Sequence, residues 1–342
     1  MASDNKAGLC NSSKMDCMNN KKEIDQRNEQ IDIAKGLLMT ITIFGHVLLA
    51  STDLVPLASF FLKFIYSFHM PAFLIISGIL FDANKQKKRK TSEYIINKVK
   101  NIMIPYFLFE VFGGIVHYVF TYGERETIPT VVKNIITFHS YVGANWYLLT
   151  YLFCSILFFL KNKIRENKQF EDVILAFIIF IGISISQYVG FIRLNTFILR
   201  ILLAFFLILI GNILKSEILS FNWKHVFIAV IGLLISVSFN SNVFLHAMMI
   251  GNPVLFLLGG ICGSYLVIQV TNIIKGNIFK ILGRYSIVPM GIHQNIIWII
   301  GWLFGLNGSL MNVTVNFILA YISVIAVTIT YVKLKKCITS QN

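Results

Sequence analysis

The chain has 342 residues, of which 56% are hydrophobic and only 13% charged, with a mean hydropathy of +0.71. A soluble domain carries about 25% charged residues, so the composition excludes a water-soluble globular enzyme and predicts an all-α integral membrane bundle of about ten transmembrane helices. The net charge of +14 would point to nucleic acid in a soluble protein. Here the basic residues sit in short loops between apolar runs, as topogenic charges that can meet anionic lipid headgroups or phosphate ligands, and no nucleic-acid partner is expected.

Residues 1–26 are polar and read as a cytoplasmic tail; no short apolar core with a small-residue cleavage site follows, so no cleaved signal peptide is expected. Residues 27–335 read as the transmembrane domain and 336–342 as a second cytoplasmic tail. A crossing helix needs about 20 apolar residues. That ruler predicts ten spans, at 31–52, 59–81, 102–122, 144–160, 173–189, 195–214, 225–239, 252–272, 281–304 and 313–332. The seventh is short, and residues 242–251 read either as an outer loop or as a half-helix. The tails and alternate loops hold 24 of the 30 Lys and Arg residues, including the run Lys85, Lys87, Lys88, Arg89 and Lys90, whereas the opposite loops hold Lys63, Arg125, Lys133 and Arg193. The positive-inside rule then places both termini in the cytoplasm, in a multi-pass cell-membrane protein read as one of a bacterial inner membrane. The largest outer loop leaves no room for a separate soluble domain. Five scattered cysteines form neither a disulfide framework nor a metal-ligand spacing, and no metal is expected.

The first span carries Asp32, Lys35, Thr42 and His46. Ionisable groups inside a membrane are costly and face a cavity or a partner. Lys35 and His46 are eleven residues apart, about three turns and roughly 16 Å of helix, so the four groups form one stripe predicted to point into the bundle. A cation at the cytoplasmic mouth with an imidazole deeper in matches an acyl-CoA, with phosphates at one end and a reactive carbonyl at the other. The plainer alternative is an i,i+3 ion pair of Asp32 with Lys35 at the interface, His46 being a packed polar residue. The second span adds His69, Pro71, Ser77 and Gly78, with Pro71 able to kink the helix and free a carbonyl. In the ninth, Ser286 and His293 are seven residues apart on one face, with Arg284 opposite and read as topogenic. Glu110 and Arg200 are further in-span ions that could pair.

Arg27, Ile31-Asp32, Lys35-Gly36 and Gly45-His46, followed by Phe68-His69-Met70-Pro71-Ala72-Phe73 and Ser77-Gly78, resemble the opening of the membrane acyltransferase 3 family, in its fucose 4-O-acetylase-like branch. Lys98, Lys100 and Ile104-Pro105-Tyr106, then Asn145-Trp146-Tyr147-Leu148, then Leu282-Gly283-Arg284-Tyr285-Ser286 with His293, continue the resemblance over nearly the whole chain. It implies transfer of an acetyl or similar acyl group from cytoplasmic acyl-CoA, here acetyl-CoA as donor substrate, to a hydroxyl of an extracytoplasmic surface or lipid-linked glycan. It also implies an essential histidine in the first span, which maps onto His46. The family's basic residue eleven positions earlier is commonly arginine; Lys35 keeps its charge and loses the bidentate fork.

The expected site is therefore His46 as general base or acyl carrier, Asp32 positioning Lys35, and Arg27, Lys35, Lys98 and Lys100 on the CoA phosphates. His69 or His293 is expected to stabilise the thioester oxyanion, with Asn145, Trp146 and Ser286 as further substrate or oxyanion candidates. A transporter or polysaccharide export component is the alternative reading, and a homo-oligomer is left open.

Overall fold

The computed structural model describes residues 29–82, 86–120, 128–136, 142–164, 169–189 and 195–340; Arg27, Arg125 and Arg193 lie outside them. Apart from two isolated bridges, Thr52 with Asn307 and Phe244 with Met249, all regular structure among the described residues is helical. Nine helical segments there are long and apolar enough to cross a membrane, and Trp223–Phe239 is a shorter apolar helix. A membrane protein built this way satisfies its backbone hydrogen bonds within each segment, where no water is available.

In chain order the helices are α1 (Glu29–Ala50), α2 (Pro56–Tyr66), α3 (His69–Ile79), α4 (Thr91–Phe120), α5 (Ile128–Ile136), α6 (Trp146–Ile164), α7 (Gln169–Val189), α8 (Thr196–Ile213), α9 (Lys215–Leu219), α10 (Trp223–Phe239), α11 (Pro253–Val270), α12 (Asn277–Arg284), α13 (Ile287–Phe304) and α14 (Leu310–Ser340). Two cores run through the bundle. One joins α3, α6, α8, α10 and α11; the other joins α2, α13 and α14; α1 contributes to both. The span made of α2 and α3 together is the most enclosed, with 67% of its apolar window buried, against 17% for α7, whose surface is left to lipid.

Small residues set the closest helix contacts, as expected where lipid removes any hydrophobic drive for helices to associate. A Cβ on Gly78 of α3 would overlap the Ile208 carbonyl of α8, and one on Gly211 of α8 would overlap the Ile75 carbonyl of α3. The pair presses the two backbones together. Gly78→Leu is expected to destabilise the bundle by about 3 kcal/mol, read as a lower melting temperature in detergent. Gly182→Leu on α7, where nothing lies within 4 Å, is expected to leave it unchanged.

Three predicted spans are redrawn. The second breaks at Ser67–Phe68, because Pro71 has no N–H to offer the Ser67 carbonyl one turn back; the Ser67 hydroxyl turns to the Phe64 carbonyl at 2.7 Å. The predicted ninth span is two helices that meet at Tyr285–Ser286, with Pro289 in the first turn of the second, where a missing N–H costs nothing. The last helix continues through Ser340, so residues 336–340 of the predicted tail extend α14. Residues 242–251, left between loop and half-helix, form a tight turn with a short 3-10 segment, Leu245–Ala247. Asn240 staples it: its Nδ2 donates to the Ile250 carbonyl at 3.1 Å, and its Oδ1 accepts from the Asn252 amide at 2.8 Å.

Candidate active site

Four histidines converge from separate parts of the chain. A cavity of about 160 Å³ is lined by Thr42 and His46 of α1, Tyr66 of α2, His69 and Met70 of α3, Trp146 of α6, His246 of the 3-10 turn, and Met290 and Gln294 of α13. His293 stands just behind, its ring 4.8 Å from that of His46 and nearly edge-on. Tyr66 neighbours both His46 and His69, 6.1 Å from the first ring and 4.7 Å from the second.

Two of these rings have their tautomers fixed by backbone. His69 Nδ1 is 2.9 Å from the Ile65 carbonyl and His293 Nδ1 is 2.9 Å from the Pro289 carbonyl. A carbonyl oxygen can only accept, so Nδ1 carries the hydrogen in both, and Nε2 of the neutral ring holds a lone pair. In this tautomer a neutral ring presents an acceptor to the cavity, so the oxyanion role expected of His69 or His293 requires the charged imidazolium. One donor that the cavity offers is Tyr66, whose buried hydroxyl has no hydrogen-bond partner among the described residues; the same is true of His293 Nε2.

Trp146 is held at the cavity by a docked turn. The Ala144 amide donates to Gln294 Oε1 at 2.7 Å, and Asn145 Nδ2 donates to Glu110 Oε1 at 2.7 Å, both residues fully buried. Asn145 therefore positions Trp146 from outside the cavity. Glu110 serves Asn145 and does not pair with Arg200, which instead lies over the Trp146 ring, 5.7 Å from its centroid.

The stripe on α1 is split. Thr42 and His46 face the cavity, whereas Lys35 Nζ is 3.0 Å from Asp32 Oδ1, and Arg284 Nε is 3.5 Å from Asp32 Oδ2. Asp32 is fourteen residues from His46, about 21 Å of helix, so it positions basic side chains and takes no part at the imidazole. Arg284, read as topogenic, joins that cluster. Ser286 sits at the start of α13, seven residues or about 10 Å before His293, and does not line the cavity.

A second, polar cavity of about 310 Å³ is lined by Ser77, Gln86, Arg89, Tyr94, Lys98, Asn101, Tyr151 and Ser155. Lys98 Nζ lies 3.3 Å from the Tyr151 hydroxyl and 4.3 Å from that ring's centroid. Lys163 Nζ donates to the Lys87 carbonyl at 2.6 Å and to the Arg89 carbonyl at 2.9 Å, which fixes the loop carrying Arg89. Of the four cations predicted to hold phosphates, Lys98 lines this cavity; Lys100, two residues on and exposed, faces away. Lys35 is engaged by Asp32, and Arg27 is outside the described residues.

The two cavities share their walls. On α3, His69, Phe73 and Ser77 follow at four-residue intervals along one face, and on α6 so do Tyr147 and Tyr151. His69 lines the first cavity, Ser77 and Tyr151 the second. Phe73 and Tyr147, both buried, meet between them at a ring distance of 6.2 Å. Sequence reasoning missed Tyr66, His246, Arg89 and the role of Gln294. Tyr66 alone had a local signal, lying three residues before His69. Among the described residues no group of three or more His, Cys, Asp or Glu side chains is arranged to hold a metal ion.

No solved structure matches the chain. The nodulation protein NolL of Mesorhizobium japonicum is 45% identical over 60 residues, a stretch that covers 16% of this chain and 16% of that protein. The family model Acyl_transf_3, described as an acyltransferase domain, matches residues 28–333. A helical membrane bundle matched by that model over nearly its whole length, the chain belongs to the acyltransferase 3 family.

Proposed function

We propose that the protein moves an acetyl or related short acyl group from cytoplasmic acyl-CoA to a hydroxyl of an extracytoplasmic surface or lipid-linked glycan. The observation that carries this reading is the pair of cavities, one cationic and one rich in imidazole, stacked along α3 and α6. His69 and Ser77 are eight residues apart, about 12 Å of helix, a separation that suits a ligand with phosphates at one end and a reactive carbonyl at the other. The excess of basic residues at the cavity holding Arg89 and Lys98 supports a cytoplasmic position for that end by the positive-inside rule, and the proposal puts both termini on the same side, in a bacterial inner membrane.

In this mechanism Arg89 and Lys98 bind the CoA phosphates, with Lys35 adding charge at the same end of the bundle. The pantetheine arm passes between Phe73 and Tyr147 once those rings turn. His46 takes the proton of the acceptor hydroxyl, and the oxygen attacks the thioester carbonyl. The C–S bond then breaks, and the CoA thiolate leaves with the proton that the imidazolium returns. His293 Nε2, an acceptor, suits the role of holding the N–H of His46, which leaves the other nitrogen of His46 free as base. The Tyr66 hydroxyl donates to the carbonyl oxygen as charge develops there. No step uses a metal.

The test is to incubate membranes bearing the protein with radiolabelled acetyl-CoA and follow label into surface glycan. Lys98→Met is expected to raise the KM for acetyl-CoA about tenfold, the loss of one hydrogen bond to a charged group, with a smaller change in kcat. Label that never leaves acetyl-CoA in the presence of the intact protein and its native glycan defeats the proposal.

A further inference from the structure

Arg200 is an in-span cation that the mechanism does not use. It lies one turn into α8, half-buried, and its Nε donates to the Thr196 carbonyl at 3.3 Å. It stacks on aromatic faces, 5.7 Å from the Trp146 centroid and 5.9 Å from that of Phe197. No carboxylate pairs with it among the described residues. An ionisable group within a span faces a cavity or a partner, and this one sits beside the histidine cavity through Trp146. With Nε given to the Thr196 carbonyl and the two rings within cation–π reach, the terminal nitrogens of the guanidinium can serve a planar or tetrahedral oxyanion.

Its neighbours are the rim of the histidine cavity. Trp146 lines that cavity, and so does His246, which the Asn240 staple holds at the surface. Partial burial, and behind it the charge of Arg200, lower the pKa of His246, so the turn presents a neutral imidazole. A sugar ring in that cavity would have Trp146 and His46 among its walls, with Arg200 against the same tryptophan.

We propose that Arg200, Trp146 and His246 form an anion-binding acceptor subsite, selecting a sugar that bears a carboxylate or a phosphate next to the hydroxyl to be acylated. The proposal rests on the acyl-transfer reading, but it is a claim about binding. The same chemistry is found in a uronic acid, in a sugar phosphate and in a phospholipid headgroup, and the test separates the three.

The full-length protein in phosphatidylcholine nanodiscs is titrated with labelled methyl β-glucoside, methyl β-glucuronide and methyl β-glucoside 6-phosphate by equilibrium dialysis. At least one anionic glycoside is expected to bind about tenfold more tightly than the neutral one, the effect of one charged hydrogen bond, and the tighter of the two names the anion. Arg200→Gln should erase the preference and Arg200→Lys should keep part of it. His46→Ala should keep all of it, so a failure of acyl transfer and a failure of this subsite read differently. Equal binding of all three glycosides, or a preference that survives Arg200→Gln, overturns the proposal. So does a preference that disappears when a third of the lipid is phosphatidylglycerol, since the occupant is then a lipid phosphate.

Discussion

Replacing His46 with alanine is expected to reduce acyl transfer by about 10³-fold or more, within the range attributed to a positioned general base, while the protein still inserts and binds acyl-CoA. His46 is the one imidazole of the inner three whose nitrogens are not tied to a backbone carbonyl, so it alone can both take a proton from an acceptor and hand it on without breaking a structural hydrogen bond. The removed ring leaves Thr42, Tyr66 and Gln294 around the same cavity, so folding should survive. Turnover of the purified variant at the wild-type rate would contradict the assignment. His69→Ala and His293→Ala are poorer tests, because each also strips a donor from a buried carbonyl, and loss of activity then mixes chemistry with stability.

The second large effect is expected from Tyr66→Phe, and its sign on stability is as informative as its effect on rate. The hydroxyl is buried and unpartnered. Removing a buried donor that makes no hydrogen bond relieves a desolvation cost of about 1–3 kcal/mol, so the melting temperature in detergent should hold or rise. Loss of one oxyanion donor lowers kcat by about 10²- to 10³-fold. The phenyl ring keeps its edge contacts with His46, His69 and Phe244, so KM for either substrate should change little. A purely structural tyrosine would give the opposite pattern, a fall in stability with kcat preserved.

The span map was legible because the bilayer writes itself into composition: a run of apolar residues of fixed length has few other uses. The inward face of α1 near His46 was legible for the same local reason, since a 3.6-residue period projects Thr42 and His46 onto one line. The other end of that line was not. Asp32 and Lys35 share the face of His46 but are taken by each other and by Arg284, and Arg284 comes from a helix far along the chain. The sequence did not disclose the break at Tyr285–Ser286 that brings it there. His246 and Arg89 were missed as site residues because each reaches its cavity from a loop with no periodic relation to His46, and Arg200 because it reaches the rim only through Trp146. Their convergence depends on tertiary staples, Asn240 for the turn and Lys163 for the basic loop, which no window along the chain reveals.

The ring pair Phe73–Tyr147 has a consequence for the cell as well as for the reaction. An enzyme that serves a donor on one face of a bilayer and an acceptor on the other contains most of a pore, and an open one would short-circuit the ion gradients that its host membrane maintains. Two buried aromatic side chains in contact are an apolar plug that neither protons nor sodium ions cross readily. Were a pantetheine arm to thread there as proposed, it would displace the plug and fill the passage at once, so that substrate and stopper would be the same body.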